Sequence, residues 1–326
     1  MKTLVTGSSG HLGTAIMRTL NQQKIQAVGV DILPSAFTHL VGSISEMAFV
    51  KTALEDVSTI IHTATLHKPH VVTHSRQDFV DTNITGTLNL LEAAVINNVK
   101  AFVYTSTTSA FGDALVPAPG AASTWITEEV NPIPKNIYGV TKLAAENLCR
   151  LFYRNYGLAC IVLRTSRFFL EEDDQESIRI DYADENVKAN EFLYRRADME
   201  DIVAAHLLAT EKAASIGFGN YIISATTPFT QNDLPALNGN AAAVVKKLFP
   251  AYESIYRERN WKMFPVIDRV YVNDAARRAL HWQPKYDFGH VLQCLERGDD
   301  FFSPLHRQTG TRGYHGVSFQ HGPYPV

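Results

Sequence analysis

Tyr138 and Lys142 stand four residues apart in the run Tyr138-Gly139-Val140-Thr141-Lys142, at the start of a helical pattern. Residues at i and i+4 share a helix face, so a phenol and an ammonium can address one bound molecule. A nearby cation favours phenolate and lowers a tyrosine pKa from about 10 toward neutrality. The pair therefore has the makings of an acid/base. The same spacing also occurs on solvated helix faces, so its meaning depends on the elements that position it.

Those elements begin at the N-terminus. Leu4 and Val5 open a short apolar strand, and Gly7-Ser8-Ser9-Gly10-His11-Leu12-Gly13 follows before a helical pattern starts at Thr14. Strand, glycine turn and helix are the context in which such a motif cradles a pyrophosphate. Gly7 permits the tight turn, Gly10 lets the backbone approach the ligand, and Gly13 lets helix and strand pack closely. The backbone N–H groups of the helix N-terminus complete an anion site. A second strand, Ala27 to Asp31, ends in an acid suited to a ribose diol, and the next basic residue after Lys24 is Lys51. That pattern favours NAD over NADP.

Val41 to Ile44 reads as a third strand, with Ser43 and Ile44 ending against an adenine. Ser58 to Thr65 reads as a buried strand whose small end residues, Thr63, Ala64 and Thr65, admit a flat ligand. His67, His70 and His74 follow on a loop that reads as a lid; no carboxylate or cysteine completes a metal set, and no metal is expected. Phe79 to Asn97 reads as one long helix in which Gly86 marks a close contact. Ala101 to Thr105 is another buried strand, and the hydroxyls of Ser106, Thr107, Thr108 and Ser109 crowd its C-terminal edge. Strand Ala159 to Arg164 follows the Tyr138 helix. A short strand is expected at Glu191 to Arg195, a helix from Ala197 to Glu211, and a returning strand at Tyr221 to Ser224. This alternation is the signature of a doubly wound parallel sheet, an α/β Rossmann fold.

Lys and Arg number 30 against 33 Asp and Glu, for a net charge of −3. No basic field points to nucleic acid. Three scattered cysteines form no disulfide or metal framework. The start MKTLVTGSSG does not read as a secretory signal and no apolar run approaches a membrane span, so a cytoplasmic enzyme is expected.

The ordered stretches TGSSGHLG, VGVD, IIHTAT, NITGT, VYTSTTSAFG, YGVTKLAAE, VLRTSRFF, RRADMEDIVAAHLLA and RVYVNDAARRALHWQPKYDF resemble an extended short-chain dehydrogenase/reductase of the NAD-dependent epimerase/dehydratase family, and are similar to UDP-glucose 4-epimerases. The resemblance implies that Tyr138 is the acid/base and that Lys142 binds the nicotinamide ribose and lowers the Tyr138 pKa. Counting back from Phe111-Gly112, it makes Thr107 their hydroxyl partner. It implies an NAD site of Gly7, Gly10, His11, Leu12, Gly13, Asp31, Ser43, Ile44, Thr63, Ala64, Thr65 and Lys142, supported by Asn83, and a homodimer.

Thr108 and Ser109 stand where 4,6-dehydratases of the family carry Asp and Glu, which argues against elimination of water. They remain candidate substrate contacts. The family's nucleotide clamp is short here, between Arg164 and Asp201. Arg195, Arg196 and Arg269 are candidates to grip an anionic substrate, and Glu171 to Asp174 read as a solvated loop.

The expected function is NAD-dependent oxidation, reduction or epimerisation at a secondary hydroxyl of a sugar or nucleotide-sugar. The alternatives are a dehydrogenase or reductase for a smaller hydroxy or keto compound, and a non-catalytic NAD-binding regulator. Residues 1–168 with 190–226 are expected to form the NAD-binding domain. Residues 169–189 and 227–326 form a smaller substrate domain with an irregular tail.

Overall fold

The computed structural model describes residues 2–312. Its main sheet contains β1 (Lys2–Thr6), β2 (Ala27–Asp31), β3 (Leu40–Val41), β4 (Val57–His62), β5 (Ala101–Thr107), β7 (Cys160–Thr165) and β8 (Phe218–Ile223). The strands run in the order β3-β2-β1-β4-β5-β7-β8. Every neighbouring pair is parallel. The chain winds outward one way through β2 and β3, then returns past β1 to β4. The strand order therefore switches between β1 and β4, the place where open α/β sheets bind ligands beyond the strand ends.

Helices on both faces explain why the strands read as continuous apolar runs. Leu12, Ile16 and Met17 of helix His11–Gln22 and Ile202 and Val203 of helix Met199–Ile216 pack on Val5, Val103 and Ile161. On the other face, Leu90 and Leu91 of helix Gly86–Ile96 and Ala145, Cys149 and Phe152 of helix Ile137–Tyr156 pack on Leu4, Phe102 and Val162. Phe102 and Val103 thus serve opposite faces, as the period of two requires.

A second core gathers Phe192, Leu237, Val245, Tyr256, Phe288 and Val291. Beside it a small parallel sheet pairs β6 (Thr124–Ile126) with β9 (Arg269–Tyr271). Among the described residues no helix is long and apolar enough to cross a membrane.

Four local expectations change. The third strand keeps only Leu40 and Val41, because the Ser43 hydroxyl accepts a bond from Ser45 N–H (3.2 Å) and turns the chain. The long helix contains a π-helical turn, Val80–Thr85, before Gly86. A Cβ on Gly86 would lie 2.6 Å from Ile44 Cδ1, which accounts for the glycine. Glu191 to Arg195 is not a strand. Glu191 ends a helix, and its carbonyl accepts from Tyr194, Arg195 and Arg196, so the chain stays coiled. The expected irregular tail starts with helix Pro304–Thr309, capped by Ser303 and fixed by a 2.9 Å His306–Asp198 bond. Residues 313–326 of that tail lie outside the described residues.

Candidate active site

Asn136 caps the helix Ile137–Tyr156, its side chain accepting from Gly139 N–H at 3.0 Å. Tyr138, Lys142 and Glu146 follow at successive turns of one buried face. They meet three consecutive residues of β5. The Thr107 hydroxyl lies near enough to the Tyr138 phenol to favour its ionised form. The Lys142 ammonium donates to the Thr105 carbonyl (2.6 Å) and lies 4.2 Å over the Tyr104 ring. The Ser106 hydroxyl donates to Glu146 (2.5 Å), which also pairs with Arg164 at 2.6 Å. Strand and helix thus meet at three levels, and the phenol is the outermost.

The electrostatics differ from the sequence expectation. Burial raises the Tyr138 pKa above its ordinary value, and the Thr107 hydroxyl only partly opposes this. Burial also brings Lys142 down to about 7, against the attraction of Glu146 and Cys149. The expected depression of Tyr138 by Lys142 is therefore absent. The ammonium spends its interactions on the Thr105 carbonyl and the Tyr104 face, and its own charge is weakened by desolvation.

His67 covers Tyr138, with ring centroids 5.6 Å apart and planes 22° apart. Burial holds its imidazole neutral, and the charges of His70, Lys142 and His11 act the same way. Asn83 ties this loop to the Tyr138 helix. Its Oδ1 accepts from Leu66 N–H (2.8 Å) and the Thr65 hydroxyl (2.9 Å), and its Nδ2 donates to the Thr141 hydroxyl (3.0 Å). Among the described residues no group of three or more His, Cys, Asp or Glu could hold a metal.

The glycine loop lies at the switch point. Gly7 has φ +71°, and a Cβ there would sit 2.8 Å from Ala64 N. A Cβ on Gly13 would lie 2.0 Å from the Gly7 carbonyl oxygen. Thr63 and Ala64 are sewn to β1, both amides donating to the Thr6 hydroxyl at 3.2 and 3.1 Å. The helix His11–Gln22 starts at Gly10 with no side-chain cap, so the amides of its first turn remain suited to an anion. Asp31 accepts from Ser9 N–H at 3.0 Å, at the edge of the same loop. This cradle fits a dinucleotide. His11 faces Glu171 at 2.8 Å. Burial raises the Glu171 carboxyl, but the His11 bond and charge outweigh it and hold it at about 2.

The candidate arginines part company. Arg196 is 1% exposed, pairs with Glu191 at 2.7 Å and donates to the Phe169 carbonyl. Its buried pairing leaves it no route to a substrate. Arg195 pairs with Glu191 at 2.9 Å, and Arg269 pairs with Asp268 at 3.2 Å. Thr108 is buried in the turn Thr108–Phe111, and its hydroxyl donates to the Thr165 carbonyl at 3.4 Å, while the Ser109 amide donates to Thr107. The acidic loop is not simply solvated. Asp173 pairs with Arg167 at 2.5 Å and Asp174 reaches Lys68 at 3.9 Å. Sequence reasoning missed both cations: Lys68 is far in sequence from Asp174, and Arg167 meets Asp173 only across the turn that follows β7.

A model of the NAD dependent epimerase/dehydratase family matches residues 3–223. The chain belongs to this family. The UDP-glucose 4-epimerase of Halalkalibacterium halodurans is 28% identical over 176 residues, covering 50% of each chain. The dTDP-glucose 4,6-dehydratase of Shigella flexneri is 30% identical over 197 residues, covering 51% of this chain and 54% of the relative. The chain thus spans about half the length of these curated relatives. Among solved structures, a UDP-glucose 4-epimerase from Thermotoga maritima with UDP-glucose matches with TM-score 0.62 at 22% identity, covering 91% of this chain and 98% of that one. A short-chain dehydrogenase/reductase superfamily protein from Agrobacterium tumefaciens with bound NAD matches with TM-score 0.63 at 21% identity over the same shares. At these identities the likeness is one of fold.

Proposed function

We propose that this family member uses NAD to oxidise, reduce or epimerise a secondary hydroxyl of a sugar or nucleotide-sugar, with Tyr138 as acid/base. The observation that carries this reading is the buried face on which Tyr138 and Lys142 meet the C-terminal end of β5, with Lys142 donating to the Thr105 carbonyl at 2.6 Å. It aims a phenol beyond the strand end, beside a loop shaped for a dinucleotide.

When bound, NAD supplies the hydride acceptor and, in its oxidised form, a positive ring charge. The uncapped first turn at Gly10, His11, Leu12 and Gly13 would hold its pyrophosphate, with Gly7 shaping the turn. Asp31 would take the adenosine ribose, and Ser43 and Ile44 would border the adenine. Thr63, Ala64, Thr65 and Asn83 would line the strand end. Lys142 would donate to the second ribose. Tyr138 takes the proton from the substrate hydroxyl, and Thr107 holds the phenol oxygen in place. A cation brought beside Tyr138 offsets the effect of burial on its pKa. Thr108 and Ser109 offer hydroxyls but no ionisable acid at neutral pH, so oxidation or epimerisation is favoured over water elimination.

A second reading, a smaller hydroxy or keto substrate, is favoured by one observation. The segment between β7 and helix Met199–Ile216 closes on itself through Arg167, Asp173, Arg195 and Glu191. We also read a homodimer from Ile96, Val140 and Leu151, apolar residues exposed on the helices Gly86–Ile96 and Ile137–Tyr156; light scattering should give twice the chain mass.

The test is incubation with NAD and a panel of UDP-sugars, free sugars and sugar acids, following NADH absorbance and product configuration. Inverted product without net NADH indicates epimerisation, and stoichiometric NADH indicates dehydrogenation. Tight NAD binding without turnover on any of them contradicts the proposal.

A further inference from the structure

We propose that Lys68 and Arg167 form a seat for a carboxylate on the substrate, and that Asp174 is the internal carboxylate that gives way to it. The inference rests on the reading of Tyr138 as the reacting group.

Both cations come from elements next to Tyr138. Lys68 directly follows His67, whose ring covers the phenol. Arg167 lies two residues past Thr165, the β7 residue in register with Thr107. In the cluster they belong to, four cations (Lys68, Arg167, Arg195 and Arg196) meet three carboxylates (Asp173, Asp174 and Glu191). One positive charge is left over. The buried Arg195 Nε also has no hydrogen-bond partner among the described residues.

The pairings are unequal. Glu191 is fully buried and holds Arg167, Arg195 and Arg196 at 2.7 to 3.0 Å. Asp173 holds Arg167 at 2.5 Å. Asp174 stands 3.9 Å from Lys68 and 3.7 Å from Arg167, with 30% of its side chain exposed. Burial lowers the Lys68 pKa and raises that of Asp174. Each therefore gains from a closer counter-ion than the other now provides. Lys68 and Arg167 are 32% and 22% exposed, open enough for an incoming group. A guanidinium fork with an ammonium beside it matches a planar carboxylate. A single negative charge balances the cluster. A diphosphate would bring a second one against Asp173 and Glu191.

The experiment is calorimetric titration of the NAD-loaded full chain with a hexuronic acid, the matching neutral aldohexose and the matching UDP-sugar. Wild type, Lys68→Met and Asp174→Asn are compared, with NAD affinity as the control for folding. The acid should bind about tenfold more tightly than the neutral sugar, the scale of a hydrogen-bonded charge pair. Lys68→Met should erase that preference and leave the neutral sugar unchanged. Asp174→Asn should tighten the acid. Equal binding of acid and neutral sugar, indifference to Lys68→Met, or tighter binding of the UDP-sugar than the acid would overturn the seat. Binding needs no turnover, so the two readings separate. Acid preference with neither NADH nor inverted product sustains the seat and removes the acid/base role. NADH formed equally from acid and neutral sugar does the reverse.

Discussion

The His67 imidazole lies nearly parallel to the Tyr138 phenol ring, 5.6 Å from it and 22° out of plane. The neutral ring forms a roof on the proposed acid/base, held in place by the Asn83 bonds to Leu66. An aromatic contact of this kind is worth about 0.5–1.5 kcal/mol. His67→Ala should therefore raise the substrate KM roughly 2- to 12-fold. Burial keeps His67 uncharged well below its ordinary pKa, so the shape of the pH–rate profile between pH 6 and 8 should not change. Steady-state kinetics across that range checks both points.

Lys142 makes stability depend on pH. Its pKa is about 7 in the folded protein against an ordinary 10.5. Between these values the unfolded chain binds a proton that the folded protein lacks, so this group makes the fold more stable as pH rises through the window. Below pH 7 the cost of burying an ammonium is fully present. Lys142→Met removes the linkage. The stability of wild type relative to Lys142→Met should rise by roughly 1.4 kcal/mol per pH unit from pH 7 to 9.5, measured by urea unfolding.

Glu146 sits behind the reacting face. Glu146→Ala leaves Arg164 buried without its 2.6 Å partner and frees the Ser106 hydroxyl. Breaking one side of a buried pair costs about 3–5 kcal/mol, and denaturant unfolding should register that loss.

Gly13→Ala places a methyl 2.0 Å from the Gly7 carbonyl oxygen. The glycine turn must open, and the first-turn amides lose their aim. NAD affinity should fall by at least about tenfold, on the scale of a lost hydrogen bond to a charged group, in a protein whose circular dichroism is retained. Fluorescence titration with NAD reports it.

Much of the positioning was legible in the sequence because it is local. The glycine turn, the start of the Tyr138 helix and the tight contact at Gly86 each leave a short-range mark: a glycine that must lack a Cβ, a helical spacing, a run of apolar residues. The ionic wall leaves no such mark. His11 and Glu171 are 160 residues apart, and Lys68 meets Asp174 only after β4 and β7 are laid near each other in the sheet. An acidic run looks solvated until its distant cations are known. The pKa of Tyr138 is hidden from the sequence for a related reason: the spacing gives a shared helix face, but only the folded structure gives the depth of burial and the carbonyl that engages Lys142.

The central claim is that Tyr138 carries the proton transfer while the glycine loop holds NAD independently of it. Turnover and NAD affinity of Tyr138→Phe, measured side by side on the substrate that the panel identifies, test it most directly. The account predicts turnover lower by at least about 10³-fold, at the scale of a lost general acid/base, with NAD affinity within about twofold of wild type. Full activity in Tyr138→Phe would contradict it.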